Sequence, residues 1–79
     1  MHIKILGPMV KQTEVLLQNT AIALKKLKVK ATFERISEFH KAADYGAITF
    51  PALVVDEKIV HVGGILSVEE LKALFNSLI

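Results

Sequence analysis

The chain has 79 residues, a net charge of +2 and no cysteine. This length predicts a single domain, residues 1–79, with one apolar core and no disulfide to stabilise it. No apolar run approaches the roughly 20 residues that span a bilayer, and we expect no secretion leader. We therefore expect a soluble, cytoplasmic protein with no membrane contact. Its lysines cluster at a predicted helix end, and without aromatic partners they do not favour nucleic-acid binding.

The first half of the sequence predicts a strand, a helix and a second strand. Residues 2–6 form a short apolar run, and residues 11–27 have helical periodicity. The predicted core face of this helix consists of Thr13, Leu16, Leu17, Thr20, Leu24 and Leu27. Val15 and Ile22 fall on the opposite, polar face, where they are either harmless exposed side chains or the contact of a weak homodimer. Residues 30–36, KATFERI, alternate as a strand does.

The second half predicts a short helix, a hairpin and a final helix. Ser37 can cap the helix EFHKAADY, which Gly46 ends, with Phe39, Ala42 and Ala43 facing the core. Strands at residues 53–55 and 59–62 flank a turn, DEK, that lacks glycine and so is expected to be looser or longer than two residues. Ser67 and Glu70 form a capping box. The last helix carries an apolar stripe of Val68, Leu71, Leu74, Phe75 and Leu78.

The predicted element order is therefore β-α-β-α-β-β-α. A strand-helix-strand start implies a parallel crossover, and the later hairpin adds an antiparallel pair. These connections predict an α/β fold in which helices flank both faces of a four-stranded mixed sheet.

Several residues in this order resemble a known family. The run AADYGAITFPALVVDEKIVHVGGILSVEELKALF is similar to the second half of small prokaryotic thioredoxin-like redox-active disulfide proteins, and IKILG and KQTE match their first half. The matching residues are Tyr45, Gly46, Pro51, Ala52, Gly63, Ser67, Glu69, Glu70 and Leu71. The resemblance implies a thioredoxin-like fold over essentially the whole chain. It also implies that Pro51 follows a cis peptide bond and faces the redox site, beside residues 7–10.

The sequence departs from this family where its members carry a Cys-x-x-Cys motif. Here the junction between strand and helix reads Gly7-Pro8-Met9-Val10. Aligning KQT places Gly7 and Val10 at the cysteine positions, whereas aligning Gly-Pro places Leu6 and Met9 there. Both thiols are absent in either alignment. Because disulfide exchange requires a thiolate, we predict no oxidoreductase activity unless a partner supplies a cysteine.

Other chemistry has little support in the residues. His2, His40 and His61 are far apart in sequence, and the spacing of Met1, His2 and Met9 does not favour a copper site. No pair of carboxylates and no base beside Thr13 or Thr49 suggests catalysis. We therefore predict no metal, no cofactor and no catalytic residue.

The remaining hypothesis is a binding groove beside the proline. Its candidate residues are Gly7, Pro8, Met9, Val10, Lys11, Thr49, Phe50 and Pro51. In the family that the sequence resembles, backbone beside the cis proline pairs with an extended segment, so we expect a redox-inactive domain that binds a peptide or partner protein. The alternative is a thiol–disulfide oxidoreductase relative whose cysteines were lost naturally or by engineering, leaving a scaffold or homodimer. A further alternative is that these residues only close the end of the core.

Overall fold

The computed structural model describes residues 1–46 and 49–79, and of Phe39 and Ala42 it describes the backbone alone. Its elements follow the predicted order. They are β1 (His2–Leu6), α1 (Lys11–Lys26), β2 (Thr32–Ile36), α2 (Phe39–Ala43), β3 (Ala52–Val55), β4 (Lys58–Val62) and α3 (Val68–Leu78). The helices of the described ranges are too short or too polar to span a bilayer.

The strands form one mixed sheet in the order β2-β1-β3-β4. β1 pairs in parallel with β2, so that Ile3 lies opposite Phe33, and antiparallel with β3, so that Ile3 lies opposite Val55. β3 and β4 form the predicted hairpin. The α/β fold with a four-stranded mixed sheet is confirmed.

The core has two unequal sides. On one face of the sheet, α1 and α3 pack against each other and over the strands. The main buried residues there are Ile3, Ile5, Leu16, Leu24, Leu53, Val55, Leu71 and Phe75. The smaller cluster consists of Leu6, Ile36, Ala52 and Val54, covered in part by Tyr45, Phe50 and Ile59. The residues just before β3 therefore help to close the second cluster.

Some local predictions were wrong. Ala43 is exposed, not part of the core, because α2 has only five residues and ends at Ala43, where the Gly46 N–H bonds to its carbonyl. The predictions for the Phe39 and Ala42 side chains lie outside what the structure describes. Leu78, near the end of α3, is also exposed. Val15 is half-buried, whereas Ile22 is exposed as predicted.

The hairpin turn differs from expectation as well. It is a tight two-residue turn, Asp56-Glu57, and β4 already begins at Lys58. Both turn residues adopt positive φ angles, 48° and 73°. This is the sign that a type I′ hairpin turn requires, and it is reached here without glycine.

Candidate functional site

The junction between β1 and α1 lies directly against Pro51. Gly7 is buried, and its N–H donates a 2.9 Å hydrogen bond to the carbonyl of Ile36. A Cβ atom built on Gly7 would lie 3.4 Å from the Pro51 Cα and 3.6 Å from the Phe50 Cβ. Glycine at position 7 therefore lets the backbone of the junction approach residues 50 and 51 closely.

Pro51 is fixed from its other side by the end of β4. The Phe50–Pro51 peptide bond is cis, the geometry that the family resemblance implies. The Pro51 carbonyl accepts a 2.9 Å hydrogen bond from the Gly63 N–H. A Cβ atom at Gly63 would lie 2.9 Å from the Thr49 Cγ2, so this glycine also permits a close approach. Pro51 itself is buried.

An exposed apolar surface borders this contact. Met9 is 77% exposed and Val10 is 49% exposed, and Pro8 beside them is exposed. Across the contact, Thr49 is exposed and Phe50 is half-buried. We call Pro8, Met9, Val10, Thr49 and Phe50 the junction surface. Of the predicted candidates, the structure brings Gly7 close to Phe50 and Pro51, and both Gly7 and Pro51 are buried. The other candidates adjoin these residues in sequence, and Lys11 is exposed.

Two pockets lined by described residues lie elsewhere. One is lined by Met1, His2, Lys30, Ala31, Thr32 and Asp56, and the other by Met1, Val55, Asp56, Lys58, Val60 and Leu78. Both are therefore near the start of β1, whereas the junction surface follows its end.

The start of α1 adds hydrogen-bond donors to the junction surface. Val10 is the N-cap residue, and no side chain caps this helix within the described chain. The first intrahelical donor is the Glu14 N–H, which bonds to the Val10 carbonyl at 3.2 Å. By helix geometry, the N–H groups of Lys11, Gln12 and Thr13 have no acceptor in the preceding turn. Such a helix start favours a carbonyl or an anion as its partner.

A buried hydroxyl lies just behind this helix start. Thr13 is fully buried, and its Oγ1 has no hydrogen-bond partner among the described residues. This oxygen is the atom nearest to a Cβ built on Gly7, at 3.0 Å. Thr13 therefore packs against the junction from the core side. Its burial was predicted from the helical pattern, but its unpartnered hydroxyl was not.

The side chains here offer little redox or metal chemistry. Met9 has a thioether, which neither ionises as a thiol does nor forms a disulfide, and the chain contains no cysteine. His2 lies 3.5 Å from Glu34, His40 lies 3.5 Å from Glu38, and the His61 Nε2 lies 3.3 Å from the Gly64 carbonyl. Over the part of the chain that is described, no three His, Asp or Glu side chains form a group suited to a metal ion.

Sequence reasoning missed a polar cluster on the sheet face opposite α1. The Lys4 ammonium hydrogen-bonds to the Tyr45 hydroxyl and, at 2.6 Å, to the Glu57 carboxylate. The Tyr45 O–H donates to Glu57 at 3.1 Å. The hydrogen bond with Glu57, and then that with Tyr45, raises the pKa of Lys4, while Lys4 lowers the pKa of Glu57.

This cluster ties three distant segments together. Lys4 is in β1, Tyr45 follows α2, and Glu57 is in the hairpin turn. Only 12% of the Lys4 side chain is exposed, and its ammonium lies 4.9 Å from the Tyr45 ring centroid. A lysine between Ile3 and Ile5 in a central strand is the signal that could have indicated a paired cation. The cluster thus fixes the position of Tyr45, which precedes Pro51 in the chain, against Lys4 of β1.

Comparison with known proteins agrees with this fold. A family model described as a thioredoxin domain matches residues 1–76. A thioredoxin from Methanothermobacter thermautotrophicus is 32% identical over 76 residues, which cover 96% of this chain and 99% of that protein. Because both alignments include residues 7–10, the cysteine-free junction lies inside the matched region.

Proposed function

This chain belongs to the thioredoxin domain family, and we propose that it acts as a redox-inactive domain that binds an extended segment of a partner protein. The binding site is the junction surface. The expected occupant places an apolar side chain against Met9 and Val10 and directs a backbone carbonyl or carboxylate to the start of α1. The cytoplasmic location stays a prediction from the sequence.

The observation that carries this proposal is the contact of Gly7 with Pro51. Met9 and Val10 follow Gly7 in sequence, and Thr49 and Phe50 precede Pro51, so we expect these four residues to lie on one surface. Because the two segments are distant in the chain, such a surface would form only in the folded state. Apolar side chains as exposed as Met9 and Val10 lose unfavourable contact with water when a partner covers them.

The open donors of α1 support the same site. An extended segment lying across Val10 would bring its own polar groups near the N–H groups of Lys11 and Gln12. The site then combines an apolar contact, which gives affinity, with a few directed hydrogen bonds, which fix orientation. This recognition requires no thiol, so it is available to a chain without cysteine.

A peptide selection tests the proposal. Phage-displayed 12-residue peptides are panned on the immobilised protein, and the most enriched peptide is titrated into the ¹⁵N-labelled chain. We expect amide shift changes at Gly7, Met9–Lys11 and Thr49–Phe50. Met9→Asp is expected to weaken binding of this peptide about tenfold, equivalent to about 1.4 kcal/mol in binding free energy. Ile22→Asp is the matched control, since Ile22 is an exposed apolar residue of α1 that is not part of the junction surface.

Two results would contradict the proposal. The first is the absence of any enriched peptide, or shifts that leave the junction surface unchanged. The second concerns redox inactivity. If the purified chain with dithiothreitol reduces insulin disulfides faster than dithiothreitol alone does, the chain transfers electrons although it has no cysteine.

A further inference from the structure

β2 is an edge strand whose outer backbone faces away from the sheet. In the order β2-β1-β3-β4, the described residues place no strand beyond β2. The Thr32 N–H donates to the Met1 carbonyl, and the Ile36 carbonyl accepts from the Gly7 N–H, both at 2.9 Å. Even-numbered residues of β2 therefore point their backbone groups toward β1. Because these groups alternate along an extended chain, Phe33 directs its groups outward, and we expect Ala31, which immediately precedes β2, to do the same.

The sequence of this edge is complementary to itself. Residues 30–34 read Lys-Ala-Thr-Phe-Glu. If a second copy lies antiparallel and both strands are centred on Thr32, each Lys30 lies opposite the Glu34 of the other copy. Each Ala31 then lies opposite a Phe33, and the outward backbone groups of these two residues meet in the correct alternation for hydrogen bonding.

We propose that β2 is a homodimerisation edge, which pairs antiparallel with β2 of a second copy about Thr32. The pairing joins the two sheets into one of eight strands. It forms two Lys30–Glu34 ion pairs on one face and two Ala31–Phe33 contacts on the other. This proposal is independent of peptide binding, since the junction surface is formed by other residues.

The exposure of the side chains fits this partner. Lys30, Thr32 and Glu34 are exposed, and Phe33 is 41% exposed, which is unusual for an aromatic residue. Ala31 is half-buried, and its small side chain leaves room for the ring of a Phe33 opposite. Glu34 already lies 3.5 Å from His2, whereas Lys30 has no ion-pair partner within the described ranges. A second copy would supply one.

The dimer should be weak. An edge pairing through about five residues a side falls among interfaces smaller than about 1,200 Å², which are typical of transient complexes. The ion pairs are exposed, so salt screens them, and their main effect is to select the register and the partner. We therefore expect a monomer–dimer equilibrium that shifts to monomer on dilution.

Charge reversal gives a sharp test by sedimentation velocity over a range of concentrations. Lys30→Glu alone and Glu34→Lys alone each place like charges opposite one another at both ion-pair positions, so each variant should be monomeric. A mixture of the two single variants should dimerise, because each copy then meets its complement. The double variant K30E/E34K should dimerise as the wild type does. Lys26→Glu, a reversal on α1, is the control that should leave the wild-type equilibrium unchanged.

Amide hydrogen exchange supplies a second, residue-level test. As the protein concentration rises, the Ala31 and Phe33 amides should gain protection, whereas the Thr32 amide, already bonded to Met1, should not. A wild-type chain that is monomeric at every concentration would overturn the proposal. So would a dimer that survives both single reversals, a result that would instead point to Val15 and Ile22. A variant that failed to fold would also fail to dimerise in the mixture. Loss of folding therefore cannot be mistaken for support of the proposal.

Discussion

Gly7 and Pro51 are so close that a single methyl group at position 7 would lie 3.4 Å from the Pro51 Cα and 3.0 Å from the Thr13 hydroxyl. The φ angle of Gly7, 155°, is also one that residues with a side chain rarely adopt. We expect Gly7→Ala to lower the free energy of unfolding by about 2 kcal/mol or more, measured by urea denaturation, because backbone strain and crowding add.

The control is Gly64→Ala. Gly64 has a positive φ of 76°, but a Cβ atom there would meet nothing within 4 Å. This variant carries the conformational cost without the crowding, so its loss should be smaller, about 1 kcal/mol. Equal losses in the two variants would show that the close approach of Gly7 to Pro51 does not matter for stability.

The open start of α1 predicts a gain in stability that is accompanied by a loss of binding. Val10 has the extended backbone of an N-cap residue, with φ −122° and ψ 168°, but no oxygen with which to cap. Val10→Ser should accept a hydrogen bond from the N–H of Gln12 or Thr13 and stabilise the protein by about 1 kcal/mol. Because the new hydroxyl occupies a proposed donor, Val10→Ser should also weaken binding of the selected peptide.

Val10→Ala separates the two effects. It removes the same apolar side chain as Val10→Ser but provides no cap, so it should not stabilise the protein. Titration of the selected peptide into both variants compares their affinities. If Val10→Ala weakens binding as much as Val10→Ser does, the peptide contacts the side chain alone and the open donors have no part in recognition.

The sequence was most informative where local physics decides the structure. Helical periodicity placed α1, and the Ser67–Glu70 pattern placed the start of α3, because both depend on residues three or four apart. The contact of Gly7 with Pro51 followed only from family resemblance, since 44 positions separate them. The Lys4–Tyr45–Glu57 cluster was missed for the same reason: partners 41 and 53 residues away leave no periodic trace.

The capping box of α3 predicts part of the acid sensitivity of the fold. The hydrogen bond from the Ser67 N–H, and then that with the Ser67 hydroxyl, lower the pKa of Glu70 below its ordinary 4.5. A lowered pKa means that the charged form stabilises the folded state above pH 4.5, and that this contribution is lost as the pH falls through the folded-state pKa. Glu57, whose pKa Lys4 lowers, contributes in the same direction.

Urea denaturation between about pH 5 and about pH 3 measures this effect. In Glu70→Gln the loss of stability over this range should be less steep than in the wild type, although the Glu57 contribution remains. Glu69→Gln is the control on the same helical turn, because Glu69 pairs with Lys72 at 3.4 Å and is not part of the capping box. Identical slopes for Glu70→Gln and the wild type would contradict the prediction.

Two buried threonines of α1 give a matched pair behind the candidate site. Thr13 and Thr20 are both fully buried, but the Thr20 hydroxyl donates a 2.7 Å hydrogen bond to the Leu16 carbonyl, whereas Thr13 Oγ1 has no partner among the described residues. Thr→Val keeps the shape and removes the hydroxyl. A buried polar group without a partner costs about 1–3 kcal/mol, so Thr13→Val should stabilise the protein, by about 1 kcal/mol.

Thr20→Val loses a satisfied hydrogen bond and should be neutral or destabilising, by up to about 1 kcal/mol. Urea midpoints of the two variants give the comparison directly. If Thr13→Val instead destabilises the protein more than Thr20→Val does, the Thr13 hydroxyl is engaged in solution. Its most direct neighbour would then be Gly7, and the junction would be held by a polar contact as well as by close packing.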